Sequence, residues 1–310
     1  MSNRTSLFYR RAVGGKVAIE DMVACTGARL FVHSGTGTDA SGYGFSPDTP
    51  LATLDYAVGL CTASKGDIIV LMPGHAESKS VTGNIALLDI AGVQVIGQGD
   101  GSLIPTFTLG HATATMSVSA ANCRIKHIKI ISDIADCAVG LTAAATADGL
   151  IVEDCIFTDG ALAKELVIGI SIAAACDNVI IRDNYFYTTI SAETGGCASA
   201  IKLVGESAGS KILGNFALGH YTVACIDAGT AASNAVLIRD NVMANIDTDA
   251  GLAYKGHASS INVLAYNVFA GSKNNTEPVS TVTASYCGEN YGVDAAAANA
   301  LYSPAQGAFS

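Results

Sequence analysis

Ile181-Arg-Asp-Asn-Tyr-Phe186 recurs in varied form down the second half of this chain. Its echoes are Ile212-Leu-Gly-Asn-Phe216, Ile238-Arg-Asp-Asn-Val-Met243 and Leu264-Ala-Tyr-Asn-Val-Phe269. The asparagines Asn184, Asn215, Asn241 and Asn267 stand 31, 26 and 26 residues apart, each with an apolar residue three positions before it. The column continues upstream with other residues. Cys155 takes the Asn position in Val152-Glu-Asp-Cys-Ile-Phe157, and Ile125-Lys-His-Ile-Lys-Ile130 precedes it. Self-similarity at about 20–50 residues marks a stacked architecture and decides the fold before any motif is weighed.

A second column keeps the same average period. Aligning Leu141, Ile170, Ile201, Ile226 and Ala253 gives steps of 29, 31, 25 and 27. The segments around both columns are short and alternate apolar with polar residues, with Gly, Asn, Asp, Ala and Thr between them. That pattern predicts an all-β chain, a parallel β-helix whose coils stack at about 4.8 Å. Asn at an inward corner suits such a stack. Its amide can donate to the side-chain carbonyl of the Asn in the next coil, so Cys155, Asn184, Asn215, Asn241 and Asn267 are expected to form a structural ladder.

An open solenoid end exposes unpaired strand edges and needs a cap. The segment from Thr49 to Ala63 supplies a short helix: Thr49 as N-cap, Pro50 in the first turn, Gly66 after its end. Leu54, Ala57, Val58 and Cys61 form its apolar stripe. The chain then divides into an N-terminal arm (1–30), a cap (31–66), coils (67–270) and a C-terminal tail (271–310).

Composition narrows the function classes. Half the residues are hydrophobic and 14% are charged, with a net charge of −10. Five basic and two acidic residues fall in 1–30, leaving the body more acidic still. A body of that sign lacks the basic track that nucleic acid requires. No run of eighteen apolar residues predicts a membrane span, and residues 1–11 lack a signal-peptide pattern, so folding in the cytoplasm where the chain is made is expected. Nine cysteines without a CxxC pair read as buried apolar residues of a reduced protein. Neither a metal nor a cofactor site is expected.

Three segments carry a resemblance. Val32-His-Ser-Gly-Thr-Gly-Thr-Asp39, Ser46-Pro-Asp-Thr-Pro-Leu-Ala-Thr-Leu-Asp-Tyr-Ala57 and Gly66-Asp-Ile-Ile-Val-Leu-Met-Pro-Gly-His-Ala-Glu77 resemble the N-terminal cap of right-handed β-helix proteins of the pectate-lyase-like superfamily. More narrowly they look like β-helix proteins encoded among tailed-phage virion genes, and Gly288-Glu-Asn-Tyr-Gly-Val-Asp294 to Leu301-Tyr-Ser-Pro304 does so more weakly. The resemblance implies a right-handed solenoid. It implies a non-enzymatic virion protein, a head decoration, fibre or short spike assembling as a trimer with other virion proteins such as the major capsid protein. The alternative it implies is a carbohydrate-binding or polysaccharide-degrading β-helix, a tailspike-like depolymerase acting on host surface glycan.

Enzymes of the superfamily carry outward carboxylates, as Ca²⁺ ligands or as paired acid and base. The candidates here are Asp154, Asp183 and Asp240, in equivalent positions, flanked by Glu153, Arg182 and Arg239. Alternating Asp and Arg on an outward face reads first as a mutually neutralised surface. Arg124-Ile-Lys126 resembles a polygalacturonase motif, but the matching Asn-Thr-Asp, Asp-Asp and Gly-His-Gly elements are absent. His75 and Glu77, spaced H-x-E, are expected to finish the first coil's turn. Tyr185, Tyr187 and Tyr221 read either as an outer aromatic strip or as packing. Thr142–Ala147 and Ala173–Ala175 read as flat small-residue faces or as tight corners. An ice-binding surface is disfavoured, because Thr106, Thr108, Thr113 and Thr115 do not follow the coil period.

Overall fold

A computed structural model describes residues 27–161, 163–188, 196–247, 251–271 and 285–294, with short strands at Tyr9–Arg10, Val17–Ala18, Val279–Ser280 and Leu301–Tyr302. Three sheets of ten, ten and eight strands run the length of a parallel β-solenoid. Each complete coil contributes one strand to each sheet. Sheet I runs from Arg29–Val32 through Ile180–Arg182 to Tyr286–Gly288, and sheet II from Ala76–Lys79 through Tyr185–Tyr187 to Leu301–Tyr302. Sheet III runs from Gly83–Leu88 to Val279–Ser280.

Strand alternation sorts the side chains. In sheet I the inward positions pair in register as Leu30, Ile69, Val95, Ile125, Val152, Ile181, Ile212, Ile238, Leu264 and Cys287. All ten are buried. In sheet II the inward positions include Phe107, Ile130, Phe157, Phe186, Ala217, Met243 and Phe269. Phe157 and Phe186 stack with ring centroids 4.9 Å apart, so one coil's core side chain is the floor for the next.

The second column of the repeat is in sheet III, where Leu141 pairs with Ile170, Ile170 with Ile201 and Ile201 with Ile226. The last partner is Tyr254 rather than Ala253. Both residues are buried, so the apolar pattern alone misplaces this register by one.

The cap helix is shorter and later than expected, Leu54–Gly59, and its N-cap is Thr53, not Thr49. Thr49 precedes a proline, which disfavours helical backbone there. The following Leu51 is held extended between Phe31 and His33 by backbone hydrogen bonds of 2.8 Å each. The Asp39 carboxylate then receives the amides of Ala52 and Thr53 and the Thr53 hydroxyl. Leu54, Ala57 and Val58 are buried against the first coils.

The coils continue past residue 270. Tyr286–Gly288 and Tyr291–Asp294 extend sheets I and II in parallel register, and Leu301–Tyr302 closes the sheet II edge in antiparallel fashion. An antiparallel end strand occupies an edge that would otherwise invite another chain. Thr142–Ala147 and Ala173–Ala175 belong to the end of sheet III and the corner after it, with Ala143 and Ala147 buried and Ala175 at φ 61°. They are corners, not a flat face. Most of the arm at 1–30, the Glu193–Gly195 stretch and most of the tail after 294 lie outside the described residues.

Candidate functional site

Between sheets I and II the chain turns in two residues, a left-handed one followed by an inward one. His127, Asp154, Asp183, Gly214, Asp240, Tyr266 and Glu289 fill the left-handed position, with φ between 52° and 61°. Only glycine adopts this region freely, while Asp, Asn and His enter it more readily than bulky residues. The residue type at Asp154, Asp183 and Asp240 therefore has a backbone cause. A Cβ on Gly214 would lie 2.6 Å from the Asp183 carboxylate, so the missing side chain of one coil gives room to the carboxylate of the coil before.

The inward position of the same corner holds the ladder. Nδ2 of Asn184 donates to Oδ1 of Asn215 at 3.0 Å, Asn215 to Asn241 at 3.0 Å and Asn241 to Asn267 at 2.9 Å. Each Oδ1 also accepts the backbone amide of the preceding member, beginning with Cys155 N to Asn184 at 3.0 Å. Asn290 adds a rung that sequence reading missed, accepting from Asn267 at 2.8 Å. Its 23-residue step is shorter than the others, which hid it. A serine seam was also missed: Ser210, Ser260 and Ser285 accept the amides of Val179, Ser233 and Asn262.

The densest charge lies on the outer face of sheet I. Glu153 is almost wholly buried there, with Arg124 Nε 3.0 Å from Oε1 and Arg182 Nε 2.6 Å from Oε2, one arginine from each neighbouring coil. Both guanidiniums add a second contact through Nη2, and Lys126 Nζ stands 3.5 Å away. Burial works against ionisation of Glu153, but the two arginines outweigh it and hold the carboxyl below its ordinary value. His127 donates from Nε2 to the Gly99 carbonyl at 2.7 Å, and its Nδ1 lies 2.8 Å from the Asp154 carboxylate. Burial lowers the His127 pKa, but these two partners more than offset that and raise it. Chemically this is a fixed carboxylate clamped between cations. The Arg124-Ile-Lys126 run thus has a clear structural use, and Arg239 similarly pairs with Asp240 at 3.0 Å while lying over the Tyr266 ring.

His75 and Glu77 fasten the cap. The Ser34 amide donates to Nδ1 of His75 at 3.0 Å, so Nε2 carries the proton shared with Glu77 at 2.8 Å, and Glu77 also accepts the Leu54 amide at the helix start. The tyrosines divide. Tyr185 and Tyr187 face outward on sheet II, whereas Tyr221 is buried and lines an interior space with Phe157, Phe186, Cys197 and Ser199. Tyr185 stacks on Phe216 at 5.1 Å and 1°. Ring faces turned toward neighbouring coils leave mainly edges for solvent, which is unlike a platform that presents a flat face to a sugar.

Burial pushes the thiols of Cys61, Cys155 and Cys176 up to about 12 and those of Cys197 and Cys225 higher still. They are protonated apolar groups. No group of three or more His, Cys, Asp or Glu side chains with metal-binding geometry gathers among the described residues. No helix among them is long and apolar enough to cross a membrane.

No protein-family model matches this chain, and no curated protein does. Solved structures do. A rhamnogalacturonan lyase superposes with a TM-score of 0.57 at 15% identity, over 86% of this chain and 67% of that one. An alginate lyase from a Paenibacillus species gives 0.47 at 15%, over 76% and 77%. A lacto-N-biosidase from Eubacterium ramulus gives 0.46 at 14%, over 86% and 64%. What the first of these shares with this chain is the parallel β-helix fold.

Proposed function

We propose that the chain is a non-enzymatic structural protein of a tailed-phage particle, a head decoration, fibre or short spike that assembles with copies of itself. The observation that carries this reading is the exposed apolar surface of the later coils. Tyr185, Val242, Val268 and Tyr291 stand outward on sheet II, each more than a third exposed. Such contiguous apolar surface is a mark of protein association. The carboxylates that might have served catalysis have local work instead, in left-handed corners and in the arginine clamp. The cap resemblance to phage β-helix proteins supports the virion as the setting, with the major capsid protein as a partner and a trimer as the assembly. Labelling purified particles with an antibody to this chain tests the reading. Decorated particles are expected, and particles that never carry the chain would refute it.

A second reading, a carbohydrate-binding or polysaccharide-degrading β-helix, is supported by the fold likeness to a rhamnogalacturonan lyase. It assigns Asp154, Asp183 and Asp240 to the glycan. Screening the purified chain against host capsule polysaccharides tests it: binding or cleavage lost in an Asp183→Asn variant would favour it over the structural reading.

A further inference from the structure

Two buried hydroxyls inside the solenoid meet no partner, and both border the same interior space. Tyr221 and Ser199 are each 1% exposed, and neither Tyr221 Oη nor Ser199 Oγ makes a hydrogen bond. Cys197 pairs with Tyr221 across adjacent coils. Ser199 stands two residues further on, one inward step before Ile201. The space beside them is walled by Phe157, Phe186 and Leu166, with Gly169 and Ala200 on the sheet III side. A larger residue at Gly169 could not fill it, because a Cβ there would come 2.6 Å from the Ala200 carbonyl and 2.9 Å from the Phe186 ring. Tyr221 is fixed in place by Asn245, which accepts its amide at 3.0 Å and donates to its carbonyl at 2.8 Å. Burial, above all, holds the Tyr221 phenol well above its ordinary range, so the group is a neutral O–H.

We propose that this space is a site for one tightly held water molecule, bridging Tyr221 of one coil and Ser199 of the coil before it. Size selects the guest first. The space takes about one water-sized molecule, and a buried water asks for about that much room and about two to four polar partners. Chemistry selects it second. Each hydroxyl has a proton to give and lone pairs that receive, so the guest must both accept and donate. A potassium ion would meet only the lone pairs, ammonium only donates, and an inert atom does neither. An O–H left unmatched among phenylalanines costs the desolvation of that group in full. The water ties neighbouring coils on the side of sheets II and III, as the asparagines do at the corner of sheets I and II. The site is interior and independent of both functional readings.

A high-resolution crystal structure of the full chain tests the site directly. It should show one ordered water within hydrogen-bonding reach of both Tyr221 Oη and Ser199 Oγ. A direct contact between the two hydroxyls, or no ordered water there, would overturn the proposal. Urea unfolding of Tyr221→Phe, Ser199→Ala and the double variant gives a second readout, with far-ultraviolet circular dichroism to verify that each keeps its β structure. Each single change is expected to lower the folding constant roughly three- to tenfold, and the double change by clearly less than the product of the two. Single variants as stable as the native chain, or losses that simply multiply, would show hydroxyls that share no water. Stability that rises with potassium or ammonium chloride, and not with choline chloride at equal ionic strength, would give the space to a cation and overturn it too.

Discussion

At the scale of single residues, the corner between sheets I and II separates two roles that the sequence places side by side. Asn241 donates from Nδ2 to Asn267 and to the carbonyls of Ile212 and Arg239, and its Oδ1 receives the Asn215 amide. Asn241→Leu removes these bonds and leaves buried backbone groups without partners, each costing about 1–3 kcal/mol. A loss of roughly 3 kcal/mol or more is therefore expected in urea unfolding. Its neighbour Asp240 answers to a different constraint. Asp240→Gly is expected to be nearly silent, because Gly214 already occupies the equivalent position at φ 61°. Asp240→Val forces a β-branched residue into left-handed backbone and is expected to cost about 1–3 kcal/mol.

The ion pairs of the same corner carry a pH signature. The Glu153 carboxyl is held below its unfolded value, so its clamp stabilises the fold above that value. The contribution disappears as pH falls through the folded-state value. His127 runs the other way: its raised pKa contributes fully below the ordinary imidazole value and is lost as pH rises through the folded one. Glu153→Gln should lower the melting temperature at neutral pH, by about 1–2 kcal/mol in stability since the arginines stay partly in water. The gap to the native chain should narrow in acid. Thermal melts across a pH series check the sign, and a gap that widened in acid would show that Glu153 does not act as the clamped anion.

At the scale of elements, the cap is the part where a few polar groups do what a long helix would do elsewhere. Six residues are too few to be stable alone, and Leu54–Gly59 is held by Thr53, Asp39 and Glu77. Glu77→Ala strips the acceptor from both the Leu54 amide and His75 Nε2. A loss of about 2 kcal/mol is expected, with faster hydrogen exchange concentrated in residues 51–59. Uniform acceleration along the chain would show that the cap and coils open together. The H-x-E spacing was visible in sequence. Its partners Ser34 and Leu54 were not, because they lie 41 and 23 residues away in the chain.

At the scale of the whole molecule, stacking makes stability a property of neighbours: each coil is the floor of the next. If copies of the chain assemble as proposed, melting temperature rises with protein concentration, since an assembly that takes up only folded chains stabilises them by mass action. Differential scanning calorimetry over a hundredfold concentration range checks this, and an invariant midpoint would speak for a monomer. The same scale separates the two functional readings. A particle component is recognised by where it is found, and a glycan-active solenoid by what it binds, so particle labelling and a polysaccharide panel answer different questions.

The period, the inward asparagines and the all-β class were determined by sequence alone, because hydrogen-bond ladders and two-residue alternation demand particular residues at each coil. The Cys155 to Asn267 ladder and the sheet III column were legible for that reason. Only tertiary structure decided the rest. Ala253 and Tyr254 are both buried, so no local pattern distinguishes their register. Asn290 escaped because a shortened coil breaks the period without breaking the stack. The role of Glu153 depended on Arg124 and Arg182, which are each 29 residues away and meet it only when successive coils are laid side by side. A parallel solenoid makes every such contact non-local, so chemistry on its outer faces is written across coils and becomes readable only when they are stacked.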